Sequence, residues 1–400
     1  MTRKLKVIVV GGGMGGLTAA AALSQRGYEV ELYEQSKEFG EVGAGIQLAP
    51  NATKVFRALG IEQEMARFGF KPEAITGWQW KTGRALFRTP LQGTCERLYG
   101  AGYFHYHRAD VQRVLKSIVP DSIVHLSSRC VGVRNARESA VARFAGGHEA
   151  EGDLVVGGDG IHSVIRNELF GDESPRYTGN MTWRALVPVE KPDPDLATPT
   201  ASFWLGPKGH VVTYYVNGGK AVNIVAVRES DSWVEESWTV PSTREELMQG
   251  YVGWNEKLLR LFSQAEKIYK WGLFDRDPMK TWTKGHVTLM GDAAHPMLPF
   301  LSQGAAMAIE DGYVLAAALA RTDNVKDGLH AYERARLPRT TRVQLGARAK
   351  AGDYHLSSPL LQLWREIGFK ARGLFSIRES GLNLGWVYEH DVTRDAIFDV

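Results

Sequence analysis

Two short stretches of this chain carry residues able to do chemistry. Gly11-Gly12-Gly13-Met14-Gly15-Gly16 follows the apolar run Val7-Ile8-Val9-Val10, and Gly291-Asp292-Ala293-Ala294-His295-Pro296 follows a second run, His286 to Met290. In the first, Gly11 permits a tight turn, Gly13 lets phosphate oxygens reach the backbone, and Gly16 lets a helix pack closely on the strand. The unpaired N–H groups and positive dipole end of that helix suit a pyrophosphate. In the second, Asp292 stands just past a strand end, where a carboxylate can accept hydrogen bonds from a polyol chain.

These residues need elements to position them. Val7 to Val10 has the composition of a buried parallel strand. Leu17 to Gln25 has helical composition, and Tyr28 to Glu34 reads as a second strand ending in an acid. Strand, glycine turn, helix, strand and acid in that order form the dinucleotide fingerprint, with Glu34 accepting from ribose hydroxyls. Asp153 to Gly160 and His286 to Asp292 read as returns to the same parallel sheet. Between them, Thr182–Val189, Thr200–Leu205, His210–Val216 and Ala221–Val227 are short, rich in β-branched and aromatic residues and separated by Gly or Pro turns. That spacing predicts an antiparallel sheet. A helical tail is expected from Ala305, broken at Pro338. The organisation expected is a dinucleotide domain in three parts (1–75, 106–178 and 276–345), a substrate domain in two (76–105 and 179–275), and C-terminal helices over 346–400.

With 400 residues, 44% hydrophobic and 23% charged, the chain has the make-up of an ordinary globular protein of about two domains. A net charge of +3 with no block of like charges gives no footprint for nucleic acid. Cys95 and Cys130 form neither a CxxC nor a metal-ligand spacing. They predict a reducing compartment, no disulfide and no metal site. The basic start Thr2-Arg3-Lys4 runs straight into the first strand, without room for a signal-type apolar segment. No apolar run approaches the ~18 residues of a spanning helix. A cytoplasmic protein is expected, monomeric or homodimeric, with neither nucleic acid nor membrane as partner.

Gly11-x-Gly13-x-x-Gly16, Asp159-Gly160 with Ser163 and Arg166, and Gly291-Asp292-Ala293-Ala294-His295 together resemble the three motifs of single-component flavoprotein aromatic hydroxylases. These are FAD-dependent, NAD(P)H-using monooxygenases of phenols and hydroxybenzoates. Gly43-Ala44-Gly45-Ile46, Tyr106-His107-Arg108-Ala109-Asp110-Val111 and Tyr332-Glu333-x-x-Arg336-x-Pro338-Arg339 extend the resemblance over nearly the whole chain. It implies an α/β fold of the p-hydroxybenzoate hydroxylase type: a Rossmann-like FAD-binding domain, an inserted antiparallel β-sheet substrate domain and C-terminal helices. His295-Pro296-Met297-Leu298-Pro299-Phe300 with Gln303-Gly304-Ala305 is most similar to salicylate hydroxylases. Gly206-Pro207-Lys208-Gly209-His210 with Tyr214 is similar to 3-hydroxybenzoate 6-hydroxylases. The 6-hydroxynicotinate 3-monooxygenases are also related, but Gln47 and Phe300 stand where histidines are expected in them.

The resemblance implies roles residue by residue. Asp292 binds the ribityl chain of FAD, and Arg108 its phosphate or polyol oxygens. Gln303, Gly304 and Ala305 open a helix whose N-terminus faces the pyrimidine end of the flavin, where negative charge forms on reduction. Gly15, Gln35, Ala44, Gln47 and Cys130 line the cofactor, and Asp159 lies near both pyrophosphate and nicotinamide. No second glycine fingerprint exists, so NADH or NADPH visits without a fold of its own. The flavin supplies the oxidant, a C4a-hydroperoxide formed with O2. The protein makes the aromatic substrate electron-rich and keeps water away. His210 is the candidate acceptor for a substrate phenol proton, with Tyr214 four residues on and on the same strand face. Tyr214, Tyr215, Pro299 and Phe300 are candidate substrate contacts. Trp183, Phe203 and Trp204 suit a flat substrate but are expected to be mostly sheet core. His107 and His295 are expected to be structural, His105 a surface or pocket-rim residue, and Arg84 and Arg184 candidate partners for a substrate carboxylate. The expected activity is hydroxylation of a salicylate-like aromatic acid, with or without decarboxylation. The alternatives are 3-hydroxybenzoate 6-hydroxylation, a pyridine analogue, an isoprenoid epoxidase, or a flavin-binding protein without hydroxylase activity.

Overall fold

Val7, Ile8 and Val9 have no exposed surface, as a strand covered on both faces requires. In the computed structural model, which describes residues 4–40, 45–190, 197–231, 240–375 and 384–394 (side chains only to Phe369 in the helix Pro359–Phe375), this strand lies inside a six-stranded sheet. Lys6–Val10 pairs in parallel with Glu29–Tyr33 on one side and Leu154–Gly157 on the other. Leu154–Gly157 pairs in turn with Val287–Leu289. The strands expected to return to one parallel sheet therefore do so, and their C-terminal ends place Gly11, Gly158 and Gly291 side by side. Only the outermost strand, Thr283–Lys284, is antiparallel. Among the described residues this is the one parallel glycine-turn sheet.

The first helix starts at Met14, directly on the glycine turn, rather than at Leu17. Glycine is a poor helix former, so composition alone hides these first residues. They are glycines because space demands it. A Cβ on Gly16 would lie 1.9 Å from the Gly11 carbonyl oxygen, and one on Gly15 would lie 3.1 Å from that of Ala308. Helix Met14–Gln25 thus packs at backbone distance on both the turn and helix Gly304–Leu319.

The β-rich unit is an eight-stranded sheet. Its centre is Arg176–Pro188, Ala221–Glu229, Gly209–Val216 and Ala201–Gly206, joined by antiparallel pairing. The expectation of a wholly antiparallel sheet needs one correction. Ala201–Gly206 pairs in parallel with Ala74–Gln79, which brings the hairpin of Ala74–Gln79 and Ala85–Pro90 to the edge. That hairpin arrives from earlier in the chain, so its direction is not tied to the local meander.

The tail differs in one respect. Helix Val325–Tyr354 runs through Pro338 instead of breaking there. Pro338 removes a bond to the carbonyl of Arg334, and both residues face solvent, where water satisfies the freed oxygen. The opposite face, with Arg336 and Thr340 fully buried, anchors the helix on the core across Pro338. Helix Pro359–Phe375 then covers the edge hairpin, with Phe369 against Phe87 at 4.8 Å. No described helix is long and apolar enough to cross a membrane.

Candidate functional site

A cleft of about 710 Å³ runs along the C-terminal ends of the parallel strands. Glu34 and Gln35 stand at one end, Gly13 and Arg108 in the middle, and Asp159 and Asp292 at the other. The Glu34 carboxylate accepts from the Gly12 N–H at 2.6 Å and the Ser36 N–H at 2.9 Å, which fixes it beside the glycine turn. Asp159 accepts from Ser163 Oγ at 2.5 Å and the Ile165 N–H at 3.2 Å, so it braces the turn into helix Val164–Phe170. Asp110 pairs with Arg113 at 2.8 Å, and Arg108 lines the cleft wall. Burial pushes the Cys130 thiol up to about 11, so it is a neutral wall residue and not a nucleophile.

A second cavity of about 290 Å³ opens from this cleft past Asp292 and Arg184. Gly45–Leu48 and Phe104–His107 form a two-stranded ribbon that carries Gln47 to one wall. The loop from Met297 and the helix start at Gln303–Ala305 form another. The face of the large sheet closes it, through His210, Val212 and Tyr214 of one strand and Val225 and Val227 of the next. Alternation along a strand puts every second side chain on one face. His210 and Tyr214 therefore share the cavity, as their spacing predicts.

The same alternation removes Tyr215 from the site. It points to the opposite face, fully buried, and donates to the Ala197 carbonyl at 2.9 Å. Phe300 also stands back: Pro299 lines the cavity, while Phe300 packs edge-on against His210 at 5.1 Å. Of the two candidate cations, Arg84 is tied to Glu366 away from the cavity, whereas Arg184 lines it. His105 is not at the surface or a rim. It is fully buried beside Tyr214, and burial drops its pKa to about 3. Ala44 lies outside the described residues.

Two groups of side chains packed against the site escape sequence reasoning. The first is the buried Asp311. Its Oδ2 accepts from the Gly291 N–H at 3.0 Å and sits 2.6 Å from His295 Nε2, and its Oδ1 accepts from Arg336 Nε at 2.8 Å. Arg336 also pairs with Glu310, which bonds Asn51 and Arg339. This network clamps the Gly291–His295 turn from both ends and explains the late Tyr332-to-Arg339 motif. Tyr332 donates to the Leu289 carbonyl and Gln344 to that of Pro296. His295 is buried, with its Nε2 turned to Asp311 rather than to the cleft. The second is His355, whose Nε2 lies 2.7 Å from His210 Nδ1. Burial, with His355 beside it, holds His210 well below its ordinary pKa, so it is a neutral acceptor at neutral pH.

The residues fit FAD. Nothing lies within 4 Å of the position a Gly13 Cβ would take, so the turn leaves open space toward the cleft. Neither Gly13 nor Gln303 caps its helix with a side chain, which leaves two helix N-termini for anionic groups. Gln47, 4% exposed, gives its Oε1 to Tyr103, and its Nε2 has no hydrogen-bond partner within the protein. A buried donor left unmade in the protein is a place for a ligand oxygen.

Comparison with known proteins agrees with this geometry. Residues 4–346 match a family profile described as FAD binding domain. A 3-amino-4-hydroxybenzoate 2-monooxygenase of Streptomyces platensis is 41% identical over 356 residues, covering 89% of this chain and 90% of that protein. A 6-hydroxynicotinate 3-monooxygenase of Pseudomonas fluorescens is 36% identical over 350 residues, covering 86% and 90%. The substrate complex of a salicylate hydroxylase superposes with a TM-score of 0.82 at 25% identity, covering 100% of this chain and 99% of that one.

Proposed function

The chain belongs to the FAD-binding-domain family and is an FAD-dependent aromatic monooxygenase, and on that premise we propose that it hydroxylates a small hydroxybenzoate whose phenol group faces His210. The observation that carries this reading is the pairing of a neutral, buried histidine with Tyr214 on one wall of a small cavity. FAD supplies the redox chemistry, taking electrons from NADH or NADPH and activating O2. This chain's residues do the rest. Gly13, Glu34, Arg108 and Asp292 hold the dinucleotide, and Gln47 and the Gln303–Ala305 helix start hold the ring end. His210 accepts the phenol proton, which makes the ring carbon more nucleophilic. Arg184, a cation in the cavity wall, pairs with the substrate carboxylate. Pro299 and the valines of the sheet keep water out. The buried free cysteines suit a cytoplasmic setting.

Among substrates, the 41% identity to a 3-amino-4-hydroxybenzoate 2-monooxygenase supports testing that acid first and salicylate second. The test is NADH and NADPH oxidation by the FAD-loaded protein with 3-amino-4-hydroxybenzoate, salicylate, 3-hydroxybenzoate and 6-hydroxynicotinate, followed by product analysis. Coupled hydroxylation of a benzoate is expected. Stimulation by none of the benzoates would overturn the substrate class.

Asp292→Ala is expected to purify with far less flavin, read as the ratio of flavin to protein absorbance. Asp292 is exposed and lines the cleft, whereas Asp311 is fully buried. The fold should survive with an unchanged circular dichroism spectrum. Wild-type FAD affinity in this variant would remove Asp292 from the cofactor site.

A further inference from the structure

His210 is not an isolated base. Its Nδ1 lies 2.7 Å from Nε2 of His355, the residue that ends helix Val325–Tyr354. The far nitrogen of His355, Nδ1, lies 3.8 Å from Glu229 Oε1. The His355 side chain is 4% exposed and that of Glu229 is 45% exposed, so the three groups lead from cavity wall to solvent. The geometry is held by backbone. The Lys208 N–H donates to the His355 carbonyl at 3.2 Å, and the Glu229 N–H to the Lys208 carbonyl at 2.9 Å. Phe300 and Tyr354 pack on His210 and exclude other partners on that side.

We propose that His210, His355 and Glu229 form a relay that carries the substrate phenol proton to solvent. The proposal rests on the reading that His210 faces the phenol. The Glu229 carboxylate stands 3.8 Å from His355 Nδ1, and its negative charge favours the hydrogen on that nitrogen. His355 Nε2 is then an acceptor, and His210 Nδ1 must carry the hydrogen between them. His210 Nε2 is left as a lone pair, the form able to take a proton from the cavity. The transfer balances. The phenol O–H bond breaks and an Nε2–H bond forms on His210. The Nδ1 proton of His210 passes to His355 Nε2, and the Nδ1 proton of His355 passes to the Glu229 carboxylate and then to water. No electron moves, and each imidazole ends neutral in its other tautomer, which rotation or back-transfer through water resets.

The relay answers an electrostatic problem. His210 and His355 are both buried, and burial holds His355 at about 4 with Arg228 and Arg365 adding to the effect. Either imidazole resists keeping a positive charge, so His210 alone would be a poor store for a proton. A concerted shift to Glu229 avoids a standing imidazolium.

Two measurements test this on the FAD-loaded protein. The first needs no substrate: ¹⁵N NMR of labelled histidines should show His210 and His355 both neutral and both protonated on Nδ1 at pH 7. The reverse orientation, with hydrogen on Nε2 of both rings, overturns the relay. The second is stopped-flow proton release to an indicator dye on mixing with 3-amino-4-hydroxybenzoate in weak buffer. His355→Phe should slow release at least tenfold while ligand affinity stays within about threefold, and added imidazole should restore the rate in His355→Gly. Glu229→Gln, at an exposed position, should slow release without affecting the fold. Wild-type release in both His355→Phe and Glu229→Gln overturns the relay. Wild-type release in His210→Gln instead overturns the underlying reading that His210 takes the proton.

Discussion

His210→Ala is expected to keep its FAD and its substrate-stimulated oxidation of NAD(P)H while losing hydroxylation. The side chain touches the cavity and not the phosphate cleft, so cofactor binding has no reason to change. On the reading proposed above, what is lost is the acceptor for the phenol proton. General-base assistance of this kind is typically worth roughly 10²–10⁴-fold. A drop in product formation of at least about ten-fold, a threshold set a decade below that range, is expected, with the missing product appearing as hydrogen peroxide. The measurement is the ratio of hydroxylated product to NAD(P)H consumed, with peroxide assayed in parallel. His210→Ala also leaves a hole beside Phe300 and Tyr354, and His210→Gln fills it without supplying an equivalent base. Uncoupling in both variants assigns the effect to proton acceptance. Full coupling at wild-type rate in both would make His210 a packing residue and move the role to Tyr214 or Gln47.

Sign and direction also follow for pH. Burial and the neighbouring His355 hold the His210 pKa below its ordinary value. A histidine kept neutral in the fold but free to protonate when unfolded weakens the fold as pH falls below the unfolded value near 6.5. His355 and His390, both at about 4, add in the same direction. Thermal stability should therefore decline from pH 7 toward pH 4.5, and His355→Gln should flatten that decline.

Local features of the sequence read well because the physics behind them is local. The glycine turn, the strand that precedes it and the acid at Glu34 sit within a few turns of chain, and each constrains the next. His210 and Tyr214 share a face because strands alternate, and the same rule would have set Tyr215 aside had it been applied to the next residue. The signals that failed are long-range. Asp311 and His295 meet through the packing of helix Gly304–Leu319 on the strand-end turn, and no periodicity marks that meeting. His355 reaches His210 across 145 positions, from the end of a helix onto a strand. A proline suggested a broken helix because its exposure was invisible in the sequence. The Tyr332-to-Arg339 motif is visible in the sequence, but its partners Asp311 and Glu310 lie on another helix that no local pattern connects to it.

Asp311→Asn is expected to be the most damaging single change to the fold. Burial alone would raise the Asp311 carboxyl, but His295 and Arg336 outweigh it and hold it below its ordinary value. Glu310 follows the same pattern, with Arg339 and Arg336 outweighing burial. Both carboxylates are therefore charged in the fold at any pH above the ordinary carboxylate range. Their stabilisation is present there and is lost as pH falls through the folded values. Removing one partner of a buried pair leaves charge uncompensated and costs about 3–5 kcal/mol. Here the loss has a functional consequence as well. Asp311 Oδ2 is the acceptor for the Gly291 N–H and the partner of His295, the two ends of the turn that aims Asp292 into the cleft. Asp311→Asn keeps the shape and can still accept a hydrogen bond, but it carries no charge for the fully buried Arg336. The expected result is a lower unfolding temperature together with weaker FAD retention. Asp292→Ala, by contrast, should lose flavin with little change in the melting temperature of the flavin-free protein. Comparing the two flavin-free melts separates the roles. Equal melting temperatures for flavin-free wild type and Asp311→Asn would show that Asp311 does not brace the turn and that Arg336 is adequately held by Glu310 alone.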